Sequence, residues 1–195
     1  MNYEELLQTT RQQPGYADRK QRVCHELRNA TITFTNNYEK PLQAVRSIGW
    51  HYPTNQELTS ILLATDDLHQ YTYAKHVHKQ LPGLLEELTN NKHTRRAILY
   101  LTDYESSKQE IHQPCLLSLW AAIREDKLHI TVHARSMDLL LGLPANLYQI
   151  SVLAQTIAEH TRKELASITF SIASAHLFND YEEELQTVIQ TLKNP

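Results

Sequence analysis

The chain has little glycine, little cysteine and no strong excess of either charge. Only four glycines occur in 195 residues, and neither a G-x-G-x-x-G loop nor a P-loop is present. Two cysteines, Cys24 and Cys115, do not make a disulfide framework; a reducing cytoplasm is the expected setting. The formal net charge is −3 and no basic run occurs, so nothing points to a nucleic-acid partner. No apolar stretch nears the ~18 residues that span a bilayer. The N-terminal M-N-Y-E-E-L-L-Q is too polar and acidic for a signal peptide. Eleven histidines are present but scattered. His76 and His78 lie two apart, and His129 and His133 share a strand face, but no third ligand has metal-site spacing. No metal is expected.

What is present is an ordinary globular composition, 41% hydrophobic and 21% charged. That length and balance suit one domain, residues 1–195, with a sizeable core. Tyr3 to Thr10 reads as a short amphipathic helix, and Gln12 to Arg22 as a polar stretch turning at Pro14-Gly15. A-T-I-T-F-T at Ala30–Thr35 alternates as a strand and ends at Asn36-Asn37. A helix opens at Pro53-Thr54 and runs to about Leu63, with Thr54 as N-cap and Glu57 at the capping-box position. Further elements are a helix over Leu81–Thr89 entered through Pro82, a strand near Arg95–Leu101, and a polar loop over Asp103–His112. A long helix spans about Pro144 to Lys163, a strand Ile168–Ala173, and a last helix follows Asn179 or Asp180. Strands and helices interleave, so the class is α/β or α+β.

The chain is organised around residues 113–146. Between Cys115 and Arg135 the pattern is apolar with a charged tip, Glu125-Asp126-Lys127, which reads as a β-hairpin. The hairpin brings Cys115 back towards Arg135, so a thiol and a guanidinium can share a pocket. A free cysteine is ordinarily a small buried hydrophobe. Beside an arginine its pKa falls and it becomes a nucleophile. Arg135 lies on a strand whose apolar face is Leu128, Ile130, Val132 and Ala134, while its own face carries His129, Thr131 and His133. Arg95-Arg96 is either two solvated charges at a strand end or a phosphate clamp, to which bidentate guanidinium geometry is suited. Asn146 is either a helix cap or a reader of one donor and one acceptor on a heterocycle edge. His176 follows small residues at a strand end.

Taken in order, P-C at 114–115, R-S-x-D at 135–138, L-G-L-P-A-N at 141–146 and H-L-F at 176–178 resemble the thymidylate synthase family. Order and spacing agree across roughly residues 73–180, with Arg95 twenty residues before Cys115 and Asn146 thirty-one after it. The segment H-E-L-R-N-A-T-I-T-F-T-N-N-Y-E-K-P-L at 25–42 is more similar to the nucleotide hydroxymethylase branch. The resemblance implies a mixed sheet with flanking helices, and a homodimer that joins through the sheet and shares its active sites. It implies that Cys115 adds to C6 of a pyrimidine nucleoside monophosphate, so that C5 attacks a one-carbon unit carried by 5,10-methylenetetrahydrofolate. Arg135 would hold the phosphate and lower the thiol pKa, with Ser136 adding a hydrogen bond. Arg95 and Arg96 would reach the phosphate in the other subunit. Asp138 would face the pterin, Asn146 would read the base and His176 would touch the ribose. Glu57, in N-Q-E-L, and Tyr73, in Y-A-K, match more loosely a proton-transferring glutamate and a tyrosine near the thiol.

Several positions depart from the family pattern. Leu116 replaces a histidine, Ala134 a glutamine, Ala145 an aromatic, and Phe178 a tyrosine whose hydroxyl binds ribose. Ala173 and Ala175 alter the lead-in to His176. Arg19 and Arg22 are poor matches to the arginine of the N-terminal phosphate loop. Family members continue beyond the helix that ends near Pro195. The nucleotide half of the site is therefore expected to be better kept than the folate half. Hydroxymethyl transfer to a uridylate-type base is the first expectation. The alternatives are a nucleotide-binding homologue or partner subunit without turnover, and a cysteine enzyme repurposed to another substrate.

Overall fold

The computed structural model describes residues 1–18, 20–63, 73–103 and 113–193. Within them the strands are β1 (Gly15–Ala17), β2 (Val23–Phe34), β3 (Ile98–Tyr100), β4 (Leu116–Arg124), β5 (Lys127–Ala134), β6 (Met137–Asp138) and β7 (Glu164–Phe178). The helices are α1 (Tyr3–Arg11), α2 (Lys40–Arg46), α3 (Asn55–Leu63), α4 (Ala74–Asn90), α5 (Gly142–Thr161) and α6 (Glu182–Lys193). The strands form one mixed sheet in the order β1-β2-β7-β5-β4-β3, with β6 paired to β7 beside this path. β5 and β6 run parallel to β7, and the remaining pairs are antiparallel. A parallel β5–β7 pair needs a crossover, which α5 supplies.

The period-two pattern of β5 puts Leu128, Ile130, Val132 and Ala134 in the core and leaves Lys127, His129, Thr131 and His133 on the other face. β7 does the same with Ile168, Phe170 and Ile172. Those apolar side chains meet the stripe Leu147, Ile150, Leu153, Ala154 and Ile157 of α5. Full burial of each such leucine or isoleucine stabilises by about 1.5–3 kcal/mol, so this contact fixes the long central helix against the sheet. The opposite face is polar where β2, β7 and β5 cross it. Thr33 and Thr169 share a hydrogen bond of 3.0 Å there, and the His129 ring lies 2.9 Å from Ser167 Oγ.

Scarce glycine leaves a mark on the turns. Among the described residues, six non-glycine positions take positive φ, including Glu125 (50°) and Asp126 (63°) at the hairpin tip. Two consecutive left-handed residues make the turn that matches strand twist, and the strands pair from Leu116↔Ala134 to Arg124↔Lys127. Arg162, with φ 54°, closes α5 in the same way.

Several boundaries differ from the sequence expectation. β2 starts at Val23, seven residues before Ala30, because β7 offers it a partner as far as Cys24↔Phe178. Pairing extends a strand through H-E-L-R, which has no apolar alternation of its own. α4 starts at Ala74 and passes through Pro82. Pro82 and His78 are both exposed, so the turn where proline removes a donor faces solvent rather than the core. α2 was not apparent in the sequence; it is seven residues long with Pro41 in its first turn. Thr54 and Glu57 do form the expected capping pair. The polar loop expected over 103–112 falls, from 104 onward, outside the described residues.

Candidate active site

Sheet connectivity decides which side chains meet. β5 and β7 run the same way, while β4 and β2 run against them. The C-terminal ends of β5, β6 and β7 and the N-terminal ends of β4 and β2 therefore lie at one end of the sheet. Cys115 precedes β4, Arg135 and Ser136 follow β5, Asp138 ends β6, His176 and Phe178 end β7, and Arg22 precedes β2. Residues more than a hundred positions apart in sequence gather there through strand direction alone. Ligands of parallel sheets bind at the carboxyl ends of strands for the same reason.

Arg135 fastens the cysteine loop. Its backbone N–H donates to Cys115 O (3.0 Å), its Nε to Pro114 O (2.9 Å) and its Nη2 to Gln113 O (2.7 Å). Behind the loop, Leu116 N–H donates to the hydroxyl of Tyr73, which is 2% exposed, at 3.4 Å. Cys115 itself is only half-buried. Burial pushes its thiol pKa up; Arg135 pulls it down and Asp138 pushes it up again, leaving a net rise. The expected lowering by Arg135 is real in direction, but desolvation outweighs it.

Ser136 Oγ lies 3.4 Å from His176 Nδ1. Asp138 pairs with His176 across β6 and β7. Its Oδ1 accepts from the N–H groups of Leu140 and Leu141, both at 2.9 Å. Burial raises the Asp138 pKa against the pull of those two donors and of His176. Two tyrosines brace the turn from β6 into α5. Tyr3 donates to Leu139 O at 2.6 Å, and Tyr52 donates to Leu141 O. Burial raises both phenol pKa values, with Asp138 adding to the rise.

Arg22, a poor sequence match to the phosphate-loop arginine, sits at the same end of the sheet. Its guanidinium is bidentate to Asp18 Oδ2, at 3.1 and 3.0 Å, and lies 3.7 Å above the Phe178 ring. Phe178 in turn meets the His176 ring edge-on, with centroids 5.1 Å apart. The available signal was Asp18 four residues before Arg22 on an otherwise polar stretch.

Arg95 and Arg96 lie elsewhere. Arg95 and Arg96 precede β3, and both are exposed. Ala97 O accepts from Ala121 N–H, so the arginines flank the far half of β4. That is seven or so residues from Cys115, roughly 20 Å at strand rise. Within one chain they do not meet the thiol. Glu57 accepts from Thr54 N–H (2.8 Å) and Thr54 Oγ1 (2.9 Å) at the start of α3. Asn146 is half-buried near the start of α5, its Nδ2 donating to Gln149 Oε1 at 2.9 Å. Among the described residues, no cluster of three or more metal-ligating side chains exists. The large cleft of about 1350 Å³ between α2 and α5 holds none of these groups, so size alone does not mark the site. No described helix is long and apolar enough to cross a membrane.

A mixed-sheet α/β domain with a cysteine–arginine pair at the strand ends is thus the class that fold and site define. Comparison with known proteins agrees. The family model described as thymidylate synthase matches residues 19–195. A putative thymidylate synthase of Methanococcoides burtonii is 25% identical over 183 residues, covering 89% of this chain and 82% of that protein. Thymidylate synthase 1 of Bacillus spizizenii is 34% identical over 107 residues, covering 55% of this chain and 38% of that protein. The chain therefore spans well under half of that relative. In fold, it is similar to thermostable thymidylate synthase A from Bacillus subtilis, with a TM-score of 0.65 at 18% identity, covering 96% of this chain and 82% of that one. The chain belongs to the thymidylate synthase family.

Proposed function

We propose that this protein transfers a one-carbon unit to C5 of a pyrimidine nucleoside monophosphate, a uridylate. The observation that carries the reading is the Gln113–Cys115 loop, tied by three hydrogen bonds to Arg135 beside Ser136, Asp138 and His176. The Cys115 thiolate adds to C6, and the displaced electron pair makes C5 an enolate-like nucleophile. C5 would bond to the one-carbon unit and lose its proton, the carrier's amine would depart from that carbon, and water (hydroxymethyl product) or a hydride from the carrier (methyl product) would add to the exocyclic methylene as the C6–S bond breaks to return the thiolate.

When bound, 5,10-methylenetetrahydrofolate supplies the one-carbon unit. Asp138 suits a ligand N–H: two backbone donors occupy Oδ1, which leaves Oδ2 to accept. Arg135 and Ser136 hold the phosphate, His176 the ribose and Asn146 the base. Glu57 and Tyr73 take part in proton management around the thiol. Two copies associate through the open sheet face, and each lends Arg95 and Arg96 to the other's phosphate. This is supported by their exposure and by the absence of any partner for either guanidinium group among the described residues. The hydroxymethyl product is the first reading, favoured by the resemblance of segment 25–42, and the methyl product is the second.

The test is tritium release from 5-tritiated uridylate, with and without methylenetetrahydrofolate. Release is expected, with the product mass distinguishing methyl from hydroxymethyl. No release under either condition overturns the reading.

A further inference from the structure

Gln149 is a buried amide that the proposed chemistry does not use. It is 2% exposed and lies one helical turn after Asn146 on the same side of α5. Its Nε2 donates to Leu58 O in α3 at 2.9 Å, and its Oε1 accepts from Asn146 Nδ2 at 2.9 Å. Amide oxygen and nitrogen are ordinarily interchangeable by a flip, and only the surrounding network assigns them. Here the network has a fixed origin. A backbone carbonyl can only accept. Leu58 O therefore compels Gln149 to face it with Nε2. The opposite end of Gln149 must then be its oxygen, which compels Asn146 to face it with Nδ2. Neither amide can reverse without setting two acceptors or two donors against each other in a buried place, and an unpaired buried polar group costs about 1–3 kcal/mol.

We infer that Gln149 is a positioning residue that locks the polarity of the Asn146 amide and so sets which pyrimidine the site accepts. The inference rests on the nucleotide reading above and narrows its substrate class. Asn146 keeps Oδ1 as an acceptor and its second Nδ2 hydrogen as a donor, neither with a side-chain partner among the described residues. Uracil offers a ring N–H beside a carbonyl; cytosine offers a ring acceptor beside an amino group. With the ring held by its phosphate and by sulfur addition, one amide polarity suits one of these patterns. A freely flipping Asn146 would suit both. Sites that pair polar groups discriminate strongly because the wrong partner leaves them unpaired.

The test measures binding of deoxyuridylate and deoxycytidylate to the full chain by calorimetry, for wild type, Gln149→Met and Gln149→Glu. Methionine keeps the length and removes both bonds. A buried, protonated glutamic acid restores them, its O–H donating to Leu58 O and its carbonyl accepting from Asn146. The expected result is a wild-type preference for deoxyuridylate that falls roughly tenfold or more in Gln149→Met, mainly through better deoxycytidylate binding, and returns in Gln149→Glu. An unchanged preference in folded Gln149→Met overturns the inference. A second readout needs no nucleotide. In the wild-type ¹⁵N spectrum, an Asn146 Nδ2 proton should be protected from exchange, and Gln149→Met should remove that protection. Absence of protection in wild type sinks the relay. Protection without binding of either nucleotide sinks the functional reading and leaves the relay standing.

Discussion

The two ends of the central sheet treat their arginines differently. At the thiol end, Arg135 is bonded to the cysteine loop and Arg22 to Asp18 while stacked on Phe178. At the other end, Arg95 and Arg96 are exposed and their guanidinium groups have no partner among the described residues. Their neighbour Arg124, by contrast, donates to Thr94 O and Ile123 O. A guanidinium carries five donors and loses side-chain entropy when ordered. Those of Arg135 and Arg22 are ordered by this chain before any ligand arrives. Those of Arg95 and Arg96 are ordered by none of the described residues. The difference separates groups that a single copy pre-organises from groups it leaves open, which on the proposed reading a second copy and its phosphate would order.

The strongest way to break that comparison is to remove one group from each end and mix the products. Cys115→Ser should lower turnover by about four orders of magnitude or more, since a nucleophile has no substitute. The double variant Arg95→Gln, Arg96→Gln should also be nearly inactive, through weakened phosphate binding. Mixing the two and allowing subunits to exchange should restore activity, because one mixed site then combines an intact thiol with intact arginines from the neighbour. Tritium release in the mixture is the measurement. Two inactive proteins that stay inactive after demonstrated exchange would mean the far-end arginines do not serve the thiol end.

A smaller effect tests what the thiol end does alone. Alkylation of Cys115 proceeds through the thiolate, so its rate against pH follows the thiol pKa. Its half-point should lie above the ordinary thiol range, because burial dominates. Arg135→Gln should move it higher still, and Asp138→Asn should move it lower, since those two charges act on the thiol in opposite senses. Adding uridylate to wild type should slow alkylation by covering the sulfur. Equal profiles in all three proteins would detach the thiol from its electrostatic surroundings.

Much of this layout was legible from the chain. The hairpin that returns Arg135 to Cys115 follows from two apolar runs around a charged tip. Asn146 and Asp138 fall where L-G-L-P-A-N and R-S-x-D put them, around the start of α5. Arg22 was not legible, because its position depends on β2 extending back to Val23. That extension comes from pairing with β7 across some 150 residues of sequence, and no local pattern encodes it. Gln149 was missed for a different reason. A glutamine inside an otherwise apolar helix stripe looks like a surface residue until α3 packs its Leu58 carbonyl against it. Long-range pairing and helix packing supply such information; local periodicity does not.

The smallest effect concerns stability and isolates Asp138 from catalysis. Burial raises its pKa in the folded protein, whereas in the unfolded chain it titrates near the usual value of about 3.9. Below that value the carboxyl is protonated in both states and contributes no pH-dependent penalty. As pH rises past it, the unfolded state ionises more readily than the folded one. Folding then loses stability until pH passes the raised value, and the loss persists above it. Asparagine keeps an Oδ1 to accept from Leu140 and Leu141 and carries no charge. Asp138→Asn should therefore melt at a higher temperature than wild type at neutral pH, and the gain should vanish as pH falls below about 4. The same variant loses the carboxylate that a ligand N–H would use, so a more stable protein should be a slower one, as is usual where a site holds a group its fold does not favour. Melting curves across that pH window decide it: a variant less stable than wild type at neutral pH would mean that the Asp138 charge is compensated where it lies.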